Sequence, residues 1–223
     1  MEDLDNPERT DNAPKRRTLQ LLLLSAGAIA AGYTVSRLVS PSVPDVGSIE
    51  GLLWPARAIQ TFRLDSTDGG DLDIAALQGT WTFLFFGFTT CPDVCPTTLN
   101  VMASLRTKVE SLGLNQSIQM IFVSVDPARD SIELLKSYVG YFDPSFKGAT
   151  GTIEELNVLT EQLGVLHIRD EPDESGSYHV DHSASVLLLD PEVRRVGIFS
   201  TPHVADDMLQ RFQSILQFVE LQS

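Results

Sequence analysis

A chain of 223 residues, 43% hydrophobic and 21% charged, has the length and composition of one globular domain with an extra segment. Its net charge of −14 argues against nucleic acid as a partner, because phosphate binding needs clustered Lys and Arg. Residues 1–40 hold five acids and five bases, so the whole excess falls on residues 41–223, where it reads as a solvated acidic surface with a weak preference for basic partners.

The first predicted element is apolar. Thr18–Ser36 (TLQLLLLSAGAIAAGYTVS) runs 19 residues without a charge, and at about 1.5 Å per residue a helix of that length matches the hydrocarbon core of a bilayer. Lys15, Arg16 and Arg17 precede it and only Arg37 follows closely, so the positive-inside rule leaves residues 1–17 in the cytoplasm, the anchor over 18–40 and the remainder exported. Ala28-Ile29-Ala30 resembles a signal-peptidase site, but the apolar run continues past it. Arg16-Arg17 as a twin-arginine signal is weakened by Gln20, and five acids before residue 12 argue against a mitochondrial transit peptide. The expectation is a single-pass bacterial inner-membrane protein whose soluble domain faces the periplasm.

Residues 41–55 (PSVPDVGSIEGLLWP) read as a tether, with the folded domain over 56–223. Thr61–Asp65 and Asp71–Ile74 read as short strands around Asp68-Gly69-Gly70, and Trp81–Phe88 (WTFLFFGF) as a strand buried on both faces. Leu99, Met102, Leu105, Val109 and Leu112 recur at helical spacing, and Ile118–Val125 is a second buried strand. Asp130-Ser131-Ile132-Glu133 and Thr152-Ile153-Glu154-Glu155 are helix starts, the latter a capping box. Ala184–Leu189 and Val193–Phe199 read as a hairpin, followed by a helix starting near Thr201 with Pro202 at its first position. This order predicts an α/β three-layer sandwich with a mixed sheet of the thioredoxin-like kind, which places reactive thiols after its first long buried strand.

Cys91 and Cys95, the only two cysteines, fall at that place in FGFTTCPDVCPTTL. Pro92 biases Cys91 away from helical geometry, and Pro96 suits a first helical position, which makes Cys95 the expected N-cap. Free N–H groups and the positive helix end would then lower a thiol pKa. A disulfide across so short a loop gains little from chain entropy, so the placement points to chemistry rather than to a structural bridge. Dithiol oxidoreductases usually carry C-x-x-C, one residue shorter than this spacing, and the P-x-x-x-T-x-x-C context of a peroxidatic cysteine is absent. Zinc favours four ligands, whereas soft Cu(I) is satisfied by two thiolates and one imidazole. Four histidines could supply the imidazole. His167 reads as a strand residue and His203 as a cap-region residue, while His179 and His182 lie together in YHVDHSAS, and spacing does not choose between those two.

GFTTCPDVCPTTL, SVDPARDS, TGTIEEL and YHVDHSAS, in that order behind an apolar N-terminus, resemble the Sco/SenC copper chaperones over roughly residues 51–218. The resemblance implies a thioredoxin-like fold that binds a copper ion, Cu(I) and also Cu(II), through Cys91, Cys95 and His182. It implies delivery to the copper A site of cytochrome c oxidase subunit II, with an upstream periplasmic copper carrier or thiol reductant. The alternative within the same family is a thiol-disulfide oxidoreductase, with Cys91 and Cys95 as the reactive pair that keeps the oxidase cysteines reduced. A sensor role comes last, since no signalling domain is present. Arg169–Val180, beside His182, has the charge and Gly/Ser content of a flap, and Asp126 matches a family position near the site. Members often carry a histidine before the first cysteine, where this chain has Thr90, and no fixed histidine is expected at His179.

Overall fold

The computed structural model describes Tyr33 and residues 46–113, 117–174 and 177–222. The chain divides into two compact units, residues 1–43 and 44–223. Apart from Tyr33, the expected anchor and its cytoplasmic flank lie outside the described residues, and among the described residues no helix is long and apolar enough to cross a membrane.

The second unit begins with a 3-10 turn at Val46–Ser48 and strand β1, Leu52–Ala58, which starts inside the segment expected as a tether. Then come β2 (Leu64–Ser66), β3 (Asp71–Leu72), α1 (Ile74–Leu77), β4 (Trp81–Gly87), α2 (Val94–Ser111), β5 (Ile118–Ser124), α3 (Ile132–Phe142) and β6 (Lys147–Thr150). The chain continues through α4 (Ile153–Leu163), β7 (His167–Arg169), β8 (Val180–His182), β9 (Val186–Leu189), β10 (Arg194–Phe199) and α5 (Ala205–Glu220). Eight strands form one mixed sheet in the order β1-β10-β9-β4-β5-β6-β2-β3, and β7 and β8 form a separate ribbon. The β4–β5 and β5–β6 pairs are parallel and the other pairs in that sheet are antiparallel.

Strand β4 occupies the middle because nothing in WTFLFFG needs water. All seven of its residues are buried, so both sheet faces are covered. Right-handed crossovers that move twice in the same direction, β4 to β5 to β6, put α2 and α3 on one face. On that face Phe83 packs against Phe199 (5.8 Å between ring centres) and against Phe212 of α5 (5.2 Å), while Trp81 meets Phe212 at 5.6 Å. On the other face, Gln119 donates to Thr82 Oγ1 (2.9 Å) and to the Ala76 carbonyl of α1 (3.3 Å).

Local signals decide most boundaries. Thr152 and Glu155 form the expected capping box of α4, Ser131 caps α3 by accepting from Leu134 N at 3.2 Å, and Gly164 closes α4 in the left-handed region at φ 68°. Three expectations fail. The strand expected over 71–74 stops at Leu72, because Asp73 turns the chain into α1 by accepting from Ala76 N at 2.9 Å. The strand expected over 61–65 is displaced to Leu64–Ser66, where it pairs with β6. The last helix starts at Ala205 with Val204 as N-cap, leaving Pro202 in the preceding loop; Asp206 and Asp207 then sit at the positive helix end.

Phe83→Ala should lower stability by about 3–5 kcal/mol, the usual cost of removing a buried aromatic from a packed core. The check is urea unfolding, with the midpoint falling while the slope stays constant.

Candidate metal centre

The centre is built where β4 stops. Gly87 ends the strand, Phe88–Asp93 form the loop, and α2 begins at Val94. The N-cap is therefore Asp93, two residues before the expected Cys95. Cys95 stands at the second helical position and Pro96 at the third, which is tolerated because the first-turn N–H groups have no intrahelical acceptor. The first turn closes with Thr97 N donating to the Asp93 carbonyl at 3.2 Å. The Cys91 N–H donates to the Phe88 carbonyl at 3.2 Å, which folds the loop back on itself.

The loop is also tied to the end of β5. The Asp130 carboxylate, 1% exposed, accepts from Thr89 N (2.9 Å), Thr89 Oγ1 (2.5 Å) and Ser124 Oγ (2.5 Å). Sequence reading assigned Asp130 only to a helix start. Its function here depends on residues 41 and 6 positions away, and no local signal marks that.

Cys91 Sγ, Cys95 Sγ and one His182 nitrogen all lie within 4.8 Å of one another, a grouping able to hold a metal ion. Cys91 is 9% exposed and Cys95 0%, and both are free thiols. His182 Nε2 stands 3.5 Å from Cys95 Sγ, while its Nδ1 lies 3.1 Å from the Ser183 carbonyl. A carbonyl only accepts, so Nδ1 carries the ring proton and Nε2 turns its lone pair to the sulfurs. The imidazole is further held edge-on by Phe88 (5.6 Å, 88°) and Phe85 (6.1 Å, 68°). A cavity of about 290 Å³ opens onto the site, lined by Phe88, Cys91, Asp93, His179, Asp181 and His182 among others.

Burial reverses the expected thiol chemistry at Cys95. Desolvation pushes its pKa well above the ordinary thiol range, and a hydrogen bond with the Phe88 backbone only partly opposes this. Desolvation likewise lowers His182, with the Ser183 carbonyl and Asp181 acting in the other direction. A protonated Cys95 facing a neutral imidazole fits the 3.5 Å contact, with the thiol donating to Nε2.

The other histidines are placed elsewhere. His167 pairs directly with His182 across the β7–β8 ribbon, but its Nε2 lies 3.1 Å from Asn157 Oδ1. His203 Nε2 donates to the Ala184 carbonyl at 2.8 Å. His179 is exposed and pairs with Asp181 at 3.2 Å. Asp126, 0% exposed, is outside the metal-holding group; it accepts from the Tyr178 hydroxyl at 2.6 Å and from Arg129 Nε. Arg169–Val180, expected as a flap, has its two ends paired as the last and first residues of β7 and β8.

Residues 53–217 match the family described as SCO1/SenC. The chain belongs to the SCO1/SenC family. A putative copper-binding protein of Stutzerimonas stutzeri is 34% identical over 165 residues, covering 74% of this chain and 80% of that one. The crystal structure of Arabidopsis thaliana ScoI with copper bound is 34% identical with a TM-score of 0.65, covering 72% of this chain and 99% of that one. Yeast Sco1 with copper bound gives 28% identity and a TM-score of 0.66, covering 72% of this chain and 89% of the other. The mixed α/β, thioredoxin-like fold expected from the order of elements is thus the one this Sco-family chain shares with solved Sco structures.

The donor set fits copper on its own chemistry: two thiols and an imidazole nitrogen already presenting its lone pair. Gly87 is part of that fit, since a Cβ there would lie 2.5 Å from Cys95 Sγ and 2.8 Å from Phe122 Cε2. Gly87→Ala should destabilise the reduced protein by about 1–3 kcal/mol, as over-packing does. It should also speed the reaction of Cys95 with a thiol reagent. Parallel urea unfolding and thiol-labelling kinetics check both.

Proposed function

We propose that this chain is a membrane-anchored copper chaperone of the periplasmic side, binding one copper ion as cargo through Cys91, Cys95 and His182. Delivery is to the copper A site of cytochrome c oxidase subunit II. The observation that carries the reading is the convergence of three soft or borderline donors within 4.8 Å, two of which, Cys91 and His182, line a cavity, with His182 Nδ1 held by the Ser183 carbonyl so that Nε2 is free to coordinate. The membership of the SCO1/SenC family and the copper bound in the Arabidopsis and yeast relatives support copper as the ion. The apolar Thr18–Ser36 segment with its basic flank supports the anchor and the orientation. The acidic domain surface suits a partner with basic docking residues.

Each residue has a stated part. Cys91, nearest the cavity, meets the ion first; Cys95 and His182 complete a mostly desolvated set that excludes competing water. The loop tie to Asp130 keeps the two sulfurs on one side.

A second reading is favoured by the pairing of one cavity-lining thiol with one fully buried thiol, the arrangement of an attacking and a resolving cysteine. In that reading the chain reduces the oxidase cysteines. Cys95 then has to lose its proton before it can resolve the mixed disulfide, a step that its burial opposes.

Copper titration of the reduced protein should give one tightly held ion per chain, lost in Cys95→Ala and weakened at least about tenfold in His182→Ala. If His182→Ala titrates like the parent while disulfide reduction persists, the oxidoreductase reading stands instead. Affinity should also rise with pH. The raised Cys95 pKa keeps its proton bound at neutral pH, so copper must displace that proton, and each step toward alkaline pH makes the displacement easier. Competition with a chromophoric chelator at several pH values checks the sign.

A further inference from the structure

Arg129 sits in the turn between β5 and α3, with its backbone N–H donating to the Asp126 carbonyl at 3.2 Å. Its Nε donates to the buried Asp126 carboxylate, which fixes one edge of the guanidinium. The guanidinium carbon then lies 4.0 Å from the centre of the Tyr178 ring and 5.5 Å from that of Phe88. Nη1 donates to the Tyr178 carbonyl at 3.4 Å, and Tyr178 returns its hydroxyl to the same Asp126 carboxylate at 2.6 Å. Among the described residues the buried Arg129 Nη2 finds no hydrogen-bond partner, and the rings of Tyr178 and Phe88 hold that end of the guanidinium.

Two of these contacts lead to His182. Phe88 meets the His182 ring edge-on at 5.6 Å, and it precedes Cys91 in the metal loop. Tyr178 comes two residues before Val180, where β8 begins its run to His182. The cation therefore joins the loop that carries Cys91 to the strand that carries the imidazole, and it is not itself one of the three grouped donors. A lysine would not replace it. A point charge cannot pair with the Asp126 carboxylate and lie flat against Tyr178 and Phe88 at once.

We infer that Arg129 is a positioning residue for the metal centre, clamping Phe88 and Tyr178 to Asp126 so that the His182 ring keeps Nε2 turned to Cys91 and Cys95. The inference rests on the reading of those three residues as a copper site. The orientation of His182 is maintained from outside the donor set, by an arginine held on a buried carboxylate.

The test uses the reduced full chain with Arg129→Met, Arg129→Lys and Tyr178→Phe. One readout is the ring ¹⁵N signals of His182 in metal-free protein, which report its tautomer and orientation. The other is Cu(I) affinity against a chromophoric chelator. Arg129→Met and Arg129→Lys should both shift the His182 signals and weaken Cu(I) binding about 10- to 100-fold, the range for groups that orient metal ligands. Tyr178→Phe should do the same to a smaller degree. Parent-like signals and affinity in Arg129→Met overturn the inference, as does full rescue by Arg129→Lys, which would reduce the effect to charge. If Arg129→Met does not fold, Tyr178→Phe decides, and parent-like behaviour there overturns it. Should the parent itself bind no Cu(I), the copper reading fails, while the His182 signals still decide whether Arg129 positions the ring.

Discussion

The Asp130 carboxylate, buried just before α3, is the tie on which the rest of the centre depends. A buried carboxylate is costly unless donors surround it, and here the donors come from Ser124 at the end of β5 and from Thr89 in the metal loop. By taking both the N–H and the hydroxyl of Thr89, Asp130 fixes the loop two residues before Cys91. The loop therefore inherits the rigidity of the parallel β4–β5 pair, which runs in unbroken register from Trp81 and Ile118 to Gly87 and Ser124. A cysteine loop without that tie would have no reason to hold its sulfurs against a histidine from a distant ribbon.

Desolvation explains the character of the site. Phe85, Phe88 and Phe122 crowd the donors, and Gly87 leaves room for one sulfur where any side chain would collide. In such surroundings charge is unfavourable, so burial raises Cys95 and lowers His182 until both rest neutral. A positive ion entering this pocket is the event that makes a thiolate affordable there, which couples metal binding to proton release. The helix N-terminus, expected from the prolines to activate the thiols, is outweighed at Cys95 by the removal of water.

The strands that run as continuous apolar stretches were legible in the sequence because nothing in them permits exposure: β4 and β5 lie within a residue of their expected limits. The caps of α3 and α4 were legible for a similar reason, since Ser131 and Thr152 act on backbone groups three residues away. Where elements are short, local preference yields to pairing. The strand β6, four residues including Gly148, exists because β5 and β2 flank it, and its composition gave no sign of it. Thr89 and Tyr178 escaped sequence reading because their partners Asp130 and Asp126 lie dozens of residues away, and Arg129 because its local pair with Asp126 matters only through the distant rings of Tyr178 and Phe88.

The sequence by itself determined the chemistry on offer: two cysteines and no more, spaced too closely for a useful structural bridge, after a strand that had to be buried. It also determined that soft-metal or dithiol chemistry was the choice, since thiol softness belongs to the residue and not to its setting. The tertiary structure decided which histidine stands with the two sulfurs. His167 and His182 face each other in the same ribbon, yet the first is satisfied by Asn157 and the second alone turns Nε2 to sulfur, with Nδ1 spent on the Ser183 carbonyl. That choice comes from the order of the strands and the hydrogen bond on the far side of a ring. Neither is written in the spacing of residues along the chain.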